Sequence, residues 1–548
     1  MLRRAVRRAL SLIIRGRSAP MFRMNSAAPF LAGSIESLEL PRAGARVDLP
    51  ALAGSSDALA LSRLAARGRA IAVIASTPSD AQRLSEEIAW FNPELRVLTL
   101  PDWETLPYDV FSPHPDLVSE RLATLYELIH RRCDVLLVPA STALVRLAPR
   151  SFVAAHTFFL RQGERLDRES LRTQLALAGY HAMTQTVAPG EYSLRGGLID
   201  LYPMGSALPF RIDLFDEEIE AIRTFDPDTQ RSVYAVPEIR LLPAREFPFD
   251  EGGRSRFRGR FRETFEGDPS RSTVYKDVGS GIAPAGIEYY LPLFFDQTDT
   301  LFDYLSPEAV ICLHGAVAES IRGFWRETES RYNLLKGDRV RPLLPPETLF
   351  ADETSFFSRA RDFGRLTLHA STEAPRKIAA ESPPDVSVER RAEDPVGRLR
   401  RFVADHPGRL LLLVESAGRR ETVHDYLAEH GMDVPVVESF QRFVQGEETF
   451  ALALGPLSAG FVLLDSGIGI ITENELYPTT ARPRRRAVEG RRTSIDGWLR
   501  DLTELRAGDP VVHENHGIGR YLGLTRLDLG EGETEFLELE YADGDKLY

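Results

Sequence analysis

Short apolar runs alternate with helical stretches early in the chain, and few folds accommodate that order. The runs at 69–75, 96–100 and 133–140 have the length and composition of buried strands. The stretches SDAQRLSEEIAWF and SERLATLYELIH between them carry apolar residues at helical spacing, and Thr77 and Pro78 before the first are typical of a helix start. Strands and helices that alternate in this way predict a parallel sheet covered by helices.

A nucleotide-binding motor would open this region with a phosphate-binding loop, and the residue that such a loop requires is missing. The loop G-x-x-x-x-G-K-[ST] puts a lysine ammonium against the β and γ phosphates. The chain has four lysines, the first at position 276, and none follows a glycine in that pattern. Residues 54–57 occupy the place of the loop, and a helix N-terminus there could bind an anion. With Asp57 near the site and no lysine, we interpret 54–57 as a plain loop-to-helix turn and expect this chain not to hydrolyse ATP.

Composition and charge exclude several classes of protein. A chain of 548 residues has room for about three to five domains. The net charge of −13 argues against a broad nucleic-acid-coating surface, although a local basic patch is compatible with it. Cys133 and Cys312 lie far apart without a pairing pattern, which indicates a reducing, cytoplasmic compartment and no disulfide. No apolar run reaches about 18 residues, so we expect no membrane span.

The first 24 residues, MLRRAVRRALSLIIRGRSAPMFRM, form a basic amphipathic stretch that allows two interpretations. It has the pattern of a targeting segment or a membrane-surface helix. Alternatively, the sequence begins at an upstream start codon, and the protein itself starts at Met21 or Met24.

From Glu191 the hydrophobic period switches to two, which predicts an antiparallel meander within a small α+β insertion over 151–240. Arg195, Arg211 and Phe215 lie in or beside these strands. Arginine with aromatic neighbours on a small sheet is typical of protein-interface anchors. The alternative is ordinary surface arginine over core phenylalanine, because strand alternation does not say which side chains face solvent.

Beyond the insertion, the strongly aromatic stretch PAGIEYYLPLFF at 284–295 is interpreted as core packing or docking between domains. The polar, proline-containing residues 381–395 are typical of a linker. RLLLLVES, GRRETVHDYLAEHG and DVPVV then predict strand, helix and strand of a second, small α/β domain over 395–480. The last residues, from about 501, alternate apolar with polar positions around glycine turns, which predicts a small SH3/Tudor-like β-barrel. The chain stops inside a strand-like run, so we expect the barrel to be truncated.

Two polar clusters resemble chemical sites without meeting their requirements. His513 and His516 are spaced i, i+3 beside a glycine turn, whereas a zinc-binding H-E-x-x-H motif needs i, i+4 spacing on a helix, so we expect no metal. Asp102, Glu104 and Asp109 have no basic or nucleophilic companion at a defined spacing, and they identify no chemistry. We therefore assign no catalytic, cofactor-binding or metal-binding residue.

Several stretches together resemble bacterial transcription-repair coupling factors, from about Pro29 to Tyr548. The matching stretches are LPDWETLPYDVFSPHPDLVSERLATLYEL, GEYSLRGGLIDLYPMGSALPFRIDLFDEEIEAIRTFDPDTQRS, LPAGIEYYLPLFF, GDPVVHENHGIGRYLGLTRL and EYADGDKLY. The first two are also similar to the repair protein UvrB, and the last is not. The combination implies the N-terminal half of the family, with a UvrB-like module and a CarD-like domain.

The resemblance implies an α/β multidomain layout. Its expected parts are a basic extension (1–27), a degenerate helicase-like domain in two parts (28–150 and 241–375), a UvrA-binding-like insertion (151–240), a linker (376–394), a small α/β domain (395–480), a basic linker (481–500) and a truncated RNA-polymerase-interacting, CarD-like domain (501–548).

The resemblance also implies partners and a function in transcription-coupled nucleotide-excision repair. By motif position, Arg195, Arg211 and Phe215 fall on the residues that the family uses to bind UvrA, and Leu527 lies in its contact region for the β subunit of RNA polymerase. The family's ATP-dependent DNA translocase half, with its ATP and Mg²⁺ sites and most of its DNA contacts, is expected to be absent from this chain. Two alternatives are a UvrB-like ATP-dependent DNA-loading enzyme, which would need the missing lysine, and a CarD-like transcription regulator, which would need a complete barrel.

Overall fold

The computed structural model describes residues 38–49, 51–368, 380–477, 510–513, 517–528, 533–541 and 546–547. The chain divides into two compact units, Met1–Arg482 and Pro483–Tyr548. Within the described residues, no helix combines the length and the apolar character needed to cross a bilayer.

In chain order, the strands are β1 (Arg46–Leu49), β2 (Ile71–Ala75), β3 (Val97–Thr99), β4 (Val135–Pro139), β5 (Phe158–Arg161), β6 (His181–Ala182), β7 (Glu191–Arg195), β8 (Leu198–Leu201), β9 (Phe210–Phe215), β10 (Glu218–Phe225), β11 (Ser232–Ala235), β12 (Glu238–Leu241), β13 (Val310–His314), β14 (Gly364–Leu368), β15 (Ala380–Glu381), β16 (Arg409–Val414), β17 (Phe450–Leu454), β18 (Phe461–Leu463), β19 (Ile468–Thr472), β20 (Pro510–His513), β21 (Gly517–Asp528), β22 (Glu533–Glu540) and β23 (Lys546–Leu547). The α-helices are α1 (Ser56–Ala65), α2 (Pro78–Phe91), α3 (Pro115–Ile129), α4 (Ala140–Ala143), α5 (Arg150–Ala155), α6 (Arg168–Leu177), α7 (Glu251–Thr264), α8 (Thr273–Gly279), α9 (Leu301–Tyr304), α10 (Val317–Leu335), α11 (Pro346–Leu349), α12 (Glu353–Ala360), α13 (Gly397–Asp405), α14 (Ala417–Glu429), α15 (Phe440–Gln445) and α16 (Glu473–Leu476).

The first sheet has six strands in the order β1-β14-β13-β2-β4-β3, and every neighbouring pair is parallel. The predicted parallel sheet and its helices α2 and α3 are therefore confirmed. The Thr77 side chain accepts a hydrogen bond from the amide of Asp80 at the start of α2, as its position before Pro78 predicts. All residues of β2 and β4 are buried, because helices cover both faces of the sheet.

The insertion forms a second six-stranded sheet in the order β11-β10-β9-β8-β7-β6, beside a two-stranded ribbon of β12 and β5. Neighbours are antiparallel except for β6 and β7, so the predicted meander is confirmed. The insertion is fixed to α3 of the first domain, since the amide of Gly205 donates to Ser119 Oγ at 2.6 Å. Arg240 also bonds Glu127 at 2.6 Å, with its guanidinium over the Tyr126 ring.

The aromatic stretch at 284–295 contains a 3₁₀ helix over Ile287–Phe294, whose apolar side chains are buried. The Phe294 ring packs against Phe247 and Phe257, with centroid separations of 4.6 and 4.8 Å. Its interpretation as core packing is confirmed.

The third sheet has five strands in the order β15-β18-β19-β16-β17. β16 lies between β19 and β17 and is parallel to both. The predicted strand β16 and helix α14 are confirmed, but the strand predicted for DVPVV is wrong. Only Val436 makes a bridge, to Leu452, because the adjacent Pro435 has no amide hydrogen to extend the ladder.

The unit at Pro483–Tyr548 contains an antiparallel sheet in the order β20-β21-β22-β23. The pairing of β21 with β22 is irregular between Tyr521 and Gly523. Among the described residues of this unit, the sheet does not close into a barrel, so the structure supports an antiparallel sheet only.

Candidate protein-interaction sites

The turn at Gly54 to Asp57, where a motor would bind phosphate, is covered by another part of the chain. Ser55 donates its amide to the carbonyl of Ala459 at 3.1 Å, and Gly54 packs so closely on Gly460 that an added Cβ would overlap the Gly460 carbonyl oxygen. The covering loop, residues 458–460, joins β17 and β18 of the third sheet. The turn is thus a loop-to-helix turn, as expected, and it is also a docking point.

Asp57 places a negative charge at the start of α1, where a nucleotide phosphate would bind a motor. The Asp57 carboxylate accepts hydrogen bonds from the Ala58 amide at 2.6 Å, Arg83 at 2.7 Å and His314 at 2.9 Å. Burial raises the pKa of Asp57, but the bonds from His314 and Arg83 outweigh it and lower the pKa to about 2. The site therefore holds a permanent anion of its own.

A second carboxylate, Glu87, ties the turn to the covering loop. Its side chain is fully buried and accepts from Ser55 Oγ and from the amide of Ser458, both at 2.9 Å. Arg83 bonds the other oxygen of Glu87 at 2.7 Å, so one guanidinium bridges both acids and offsets one of their two negative charges. Buried charges that are paired and hydrogen-bonded in this way favour a single arrangement of the groups that hold them.

The docking of the third sheet's domain extends along α2. Trp90 donates its indole hydrogen to the carbonyl of Leu454 at 2.9 Å. The Phe91 ring contacts the rings of Phe440 and Phe461, at centroid separations of 5.1 and 6.3 Å. One apolar cluster runs without interruption from the first sheet to the third. No sequence pattern indicates this contact, because none of the small residues at 458–460 has a distinctive chemistry.

The outer face of the insertion sheet carries the residues predicted to bind a partner. Asp200 on β8 lies opposite Arg211 on β9 and Ser193 on β7. Side chains alternate between the two faces of a strand, so residues an even number of positions apart share a face. Arg195 lies two residues after Ser193 and Phe215 lies four residues after Arg211, so both belong to this face. The opposite face is buried core that includes Ile199 and Ile212.

The three predicted residues differ in exposure. Phe215 is 75% exposed, and the Arg195 side chain is 51% exposed. The Arg211 side chain is only 18% exposed and lies over the Phe225 ring at 4.7 Å. Sequence reasoning missed Asp200, whose fully buried carboxylate bonds both arginines.

The acidic residues and histidines singled out in the sequence are placed by the structure as follows: one acid makes structural hydrogen bonds, and one histidine ends a strand. Asp102 accepts from the hydroxyls of Ser141 and Thr142 at 2.8 and 3.0 Å, which explains one of the unassigned acids. Within the described part of the chain, no group of three or more His, Cys, Asp or Glu residues could hold a metal ion. His513 ends β20, whereas His516 falls outside the described residues.

Leu527 lies near the end of β21, and its backbone is paired with Thr534 of β22. Both cysteines, Cys133 and Cys312, are free.

Comparison with known proteins gives each of these regions a family context. Residues 158–247 match the UvrB interaction domain, 402–476 match the "MFD, D3 domain", and 505–548 match the CarD-like/TRCF RID domain. The chain is 39% identical over 488 residues to the transcription-repair-coupling factor of Escherichia coli K12 and 38% identical over 486 residues to that of Haemophilus influenzae. The chain belongs to the transcription-repair coupling factor family.

These alignments cover 87% of the chain and 42% of each of the two relatives, so the chain spans less than half of their length. The factor of Bacillus subtilis is more distant, at 25% identity over 501 residues. Arg195, Arg211 and Phe215 fall inside the match to the UvrB interaction domain, and Leu527 falls inside the match to the CarD-like/TRCF RID domain.

Proposed function

We propose that this chain is an adaptor in transcription-coupled nucleotide-excision repair, which joins the damage-recognition protein UvrA to stalled RNA polymerase. The observation that carries the proposal is the outer face of the insertion sheet. It presents a 75% exposed phenylalanine and a half-exposed arginine within the UvrB interaction domain. Aromatic and arginine anchors dominate protein interfaces, and here one of each kind lies exposed on the same face of the sheet.

In this proposal Phe215 and Arg195 make the direct contacts with UvrA. Phe215 supplies apolar area for a pocket on the partner, and Arg195 supplies hydrogen-bond donors beside it. Arg211 is mostly covered, so its contribution to the interface is one edge of its guanidinium at most.

Binding of purified UvrA to the full chain by calorimetry tests the proposal. The double variant Arg195→Ala/Phe215→Ala should bind about 30-fold or more weakly, because a central interface anchor typically contributes about 2 kcal/mol or more. Charge reversal at Arg211 is unsuitable, since it would put a second carboxylate against buried Asp200. Phe159→Ala is the matched control, because Phe159 is an exposed phenylalanine on β5 of the separate ribbon. Unchanged affinity in the double variant would remove the assignment.

We also propose that the Pro483–Tyr548 unit belongs to a small SH3/Tudor-like β-barrel that binds the β subunit of RNA polymerase. The match to the CarD-like/TRCF RID domain and the four-stranded antiparallel sheet support this proposal. Leu527 on β21 is the proposed contact residue.

The alternative of a UvrB-like ATP-dependent enzyme is disfavoured by the geometry of the Gly54 turn. Two buried carboxylates, Asp57 and Glu87, and the loop at 458–460 occupy the space in which a triphosphate would bind. A phosphate would face like charges there instead of a lysine. We therefore propose that the chain acts by binding proteins and not by hydrolysing ATP. Titration of MgATP into the chain should give no binding heat, and a micromolar dissociation constant would overturn this part of the proposal.

A further inference from the structure

We infer that Asp200 and Arg211 are positioning residues that hold Arg195 in the orientation in which it meets a carboxylate of the partner protein. The inference rests on the proposed function, because it assigns separate roles within the proposed UvrA surface. The three side chains would then act as one unit, of which only Arg195 makes the decisive polar contact.

The Asp200 carboxylate accepts hydrogen bonds from both arginines. Its side chain is fully buried in the outer face of the sheet, although it is a carboxylate. It accepts from Arg195 Nη2 at 2.6 Å, from Arg211 Nε at 2.7 Å and from Arg211 Nη2 at 2.9 Å. A buried acid persists only where its hydrogen bonds are satisfied, and here two strands supply them.

The donors of Arg211 are committed within the chain. Its Nε and Nη2 bond Asp200, its Nη1 donates to the carbonyl of Gln230 at 3.0 Å, and its plane lies over the Phe225 ring. A guanidinium held at all three nitrogens and on one face has little left for a partner. Arg211 therefore fixes the orientation of the Asp200 carboxylate and makes no main contact with the partner.

Arg195 uses fewer of its hydrogen-bond donors within the chain than Arg211 does. Among the contacts of the described residues it donates through Nη2 alone, to Asp200, and half of its side chain is exposed. The remaining donors of its planar guanidinium fit the geometry of a carboxylate, which accepts two parallel hydrogen bonds. Because Asp200 has already restricted the side chain, less rotamer freedom is lost on binding. The chemistry that this surface would recognise is thus an acidic side chain beside an apolar pocket that takes Phe215.

A double-mutant cycle on UvrA binding tests the inference. Asp200→Asn keeps the shape of the side chain but replaces one acceptor oxygen with a donor that faces the guanidiniums. It should weaken binding about tenfold or more, the factor expected for losing a hydrogen bond to a charged group. In the Arg195→Ala background the same substitution should weaken binding less than about twofold, because nothing remains to be positioned. A purely structural role of Asp200 would give the full factor in both backgrounds.

Two further variants keep the test decisive. Arg211→Gln leaves Asp200 paired with Arg195 and covers the case in which Asp200→Asn does not fold, and its loss of affinity should likewise vanish in the Arg195→Ala background. Glu238→Gln is the control, since Glu238 pairs with Arg161 on the separate ribbon and its substitution should leave affinity unchanged. Full affinity in folded Asp200→Asn, or equal losses in both backgrounds, would overturn the inference. If wild type binds UvrA and Arg195→Ala binds as tightly, the proposed UvrA contact itself fails.

Discussion

The docking of residues 458–460 on the Gly54 turn gives a quantitative prediction for Gly54→Ala. Gly54 has a φ of 52°, and an alanine in such a left-handed conformation costs about 1–2 kcal/mol. The added Cβ would also overlap the Gly460 carbonyl oxygen and lie 2.9 Å from that of Ala459, so the loop must move.

Movement of the loop breaks the two shortest hydrogen bonds between residues 458–460 and the first domain. The bond from the Ser55 amide to Ala459 contributes about 0.5–1.5 kcal/mol, and the bond from the Ser458 amide to charged Glu87 about 1.5–3 kcal/mol. Together with the backbone cost, Gly54→Ala should lose about 3–6.5 kcal/mol of local stability.

Gly44→Ala is the matched control. Gly44 has a φ of 79°, but no atom lies within 4 Å of an added Cβ, so this variant should lose only the backbone cost of about 1–2 kcal/mol. Hydrogen exchange of the 455–460 segment, followed by mass spectrometry, measures the local opening without assuming that the whole chain unfolds in one step. Exchange there should accelerate in Gly54→Ala and not in Gly44→Ala. Equal exchange of this segment in both variants would refute the reasoning.

Three further predictions concern other parts of the chain. Burial raises the pKa of Glu288 to about 7, so between about pH 4.5 and pH 7 the folded state holds a proton that the unfolded state has released. Stability therefore falls across this window and levels off above it. Glu288→Gln should therefore gain about 2 kcal/mol relative to wild type between pH 5 and pH 8 in urea unfolding, and a pH-independent difference would contradict this. Glu246→Gln should cost about 3–5 kcal/mol in the same assay, because it breaks the fully buried pair with Arg121 at 2.6 Å; a loss below about 1 kcal/mol would mean that the pair is not desolvated. Leu527→Arg should weaken binding to the polymerase β subunit in a pull-down from purified components, without changing binding to UvrA, and equal recovery of the β subunit by both proteins would exclude Leu527 as a contact.

The local structure of the first sheet followed from its sequence, because each element carried its own signal. The helix start at Thr77 and the buried runs of β2 and β4 depend on neighbouring residues only. The strands β13 and β14 complete the sheet from more than two hundred residues further along, and no local pattern indicates which strand they join.

In the candidate site, too, local patterns were predictable from the sequence and contacts between strands were not. Arg195, Arg211 and Phe215 were predicted as candidates from strand alternation and family resemblance, but the extent of their burial was not predicted. Asp200 escaped notice because an isolated aspartate in a strand has no sequence signature, and its importance arises from cross-strand register. The contact between Gly54 and Gly460 was equally invisible, since two glycines separated by the whole insertion carry no pattern.

The arrangement of the first sheet also constrains how the protein is made. Ile71 of β2 pairs with Val310 of β13, so β2 has only β4 beside it until the ribosome has synthesised the insertion and everything up to β13. The insertion sheet pairs strands that are close in sequence, from β7 to β11, and can form while its host domain is still incomplete. During synthesis the apolar edge of β2 is therefore exposed beside an already folded insertion, which makes this stage vulnerable to aggregation and one at which a chaperone would be useful.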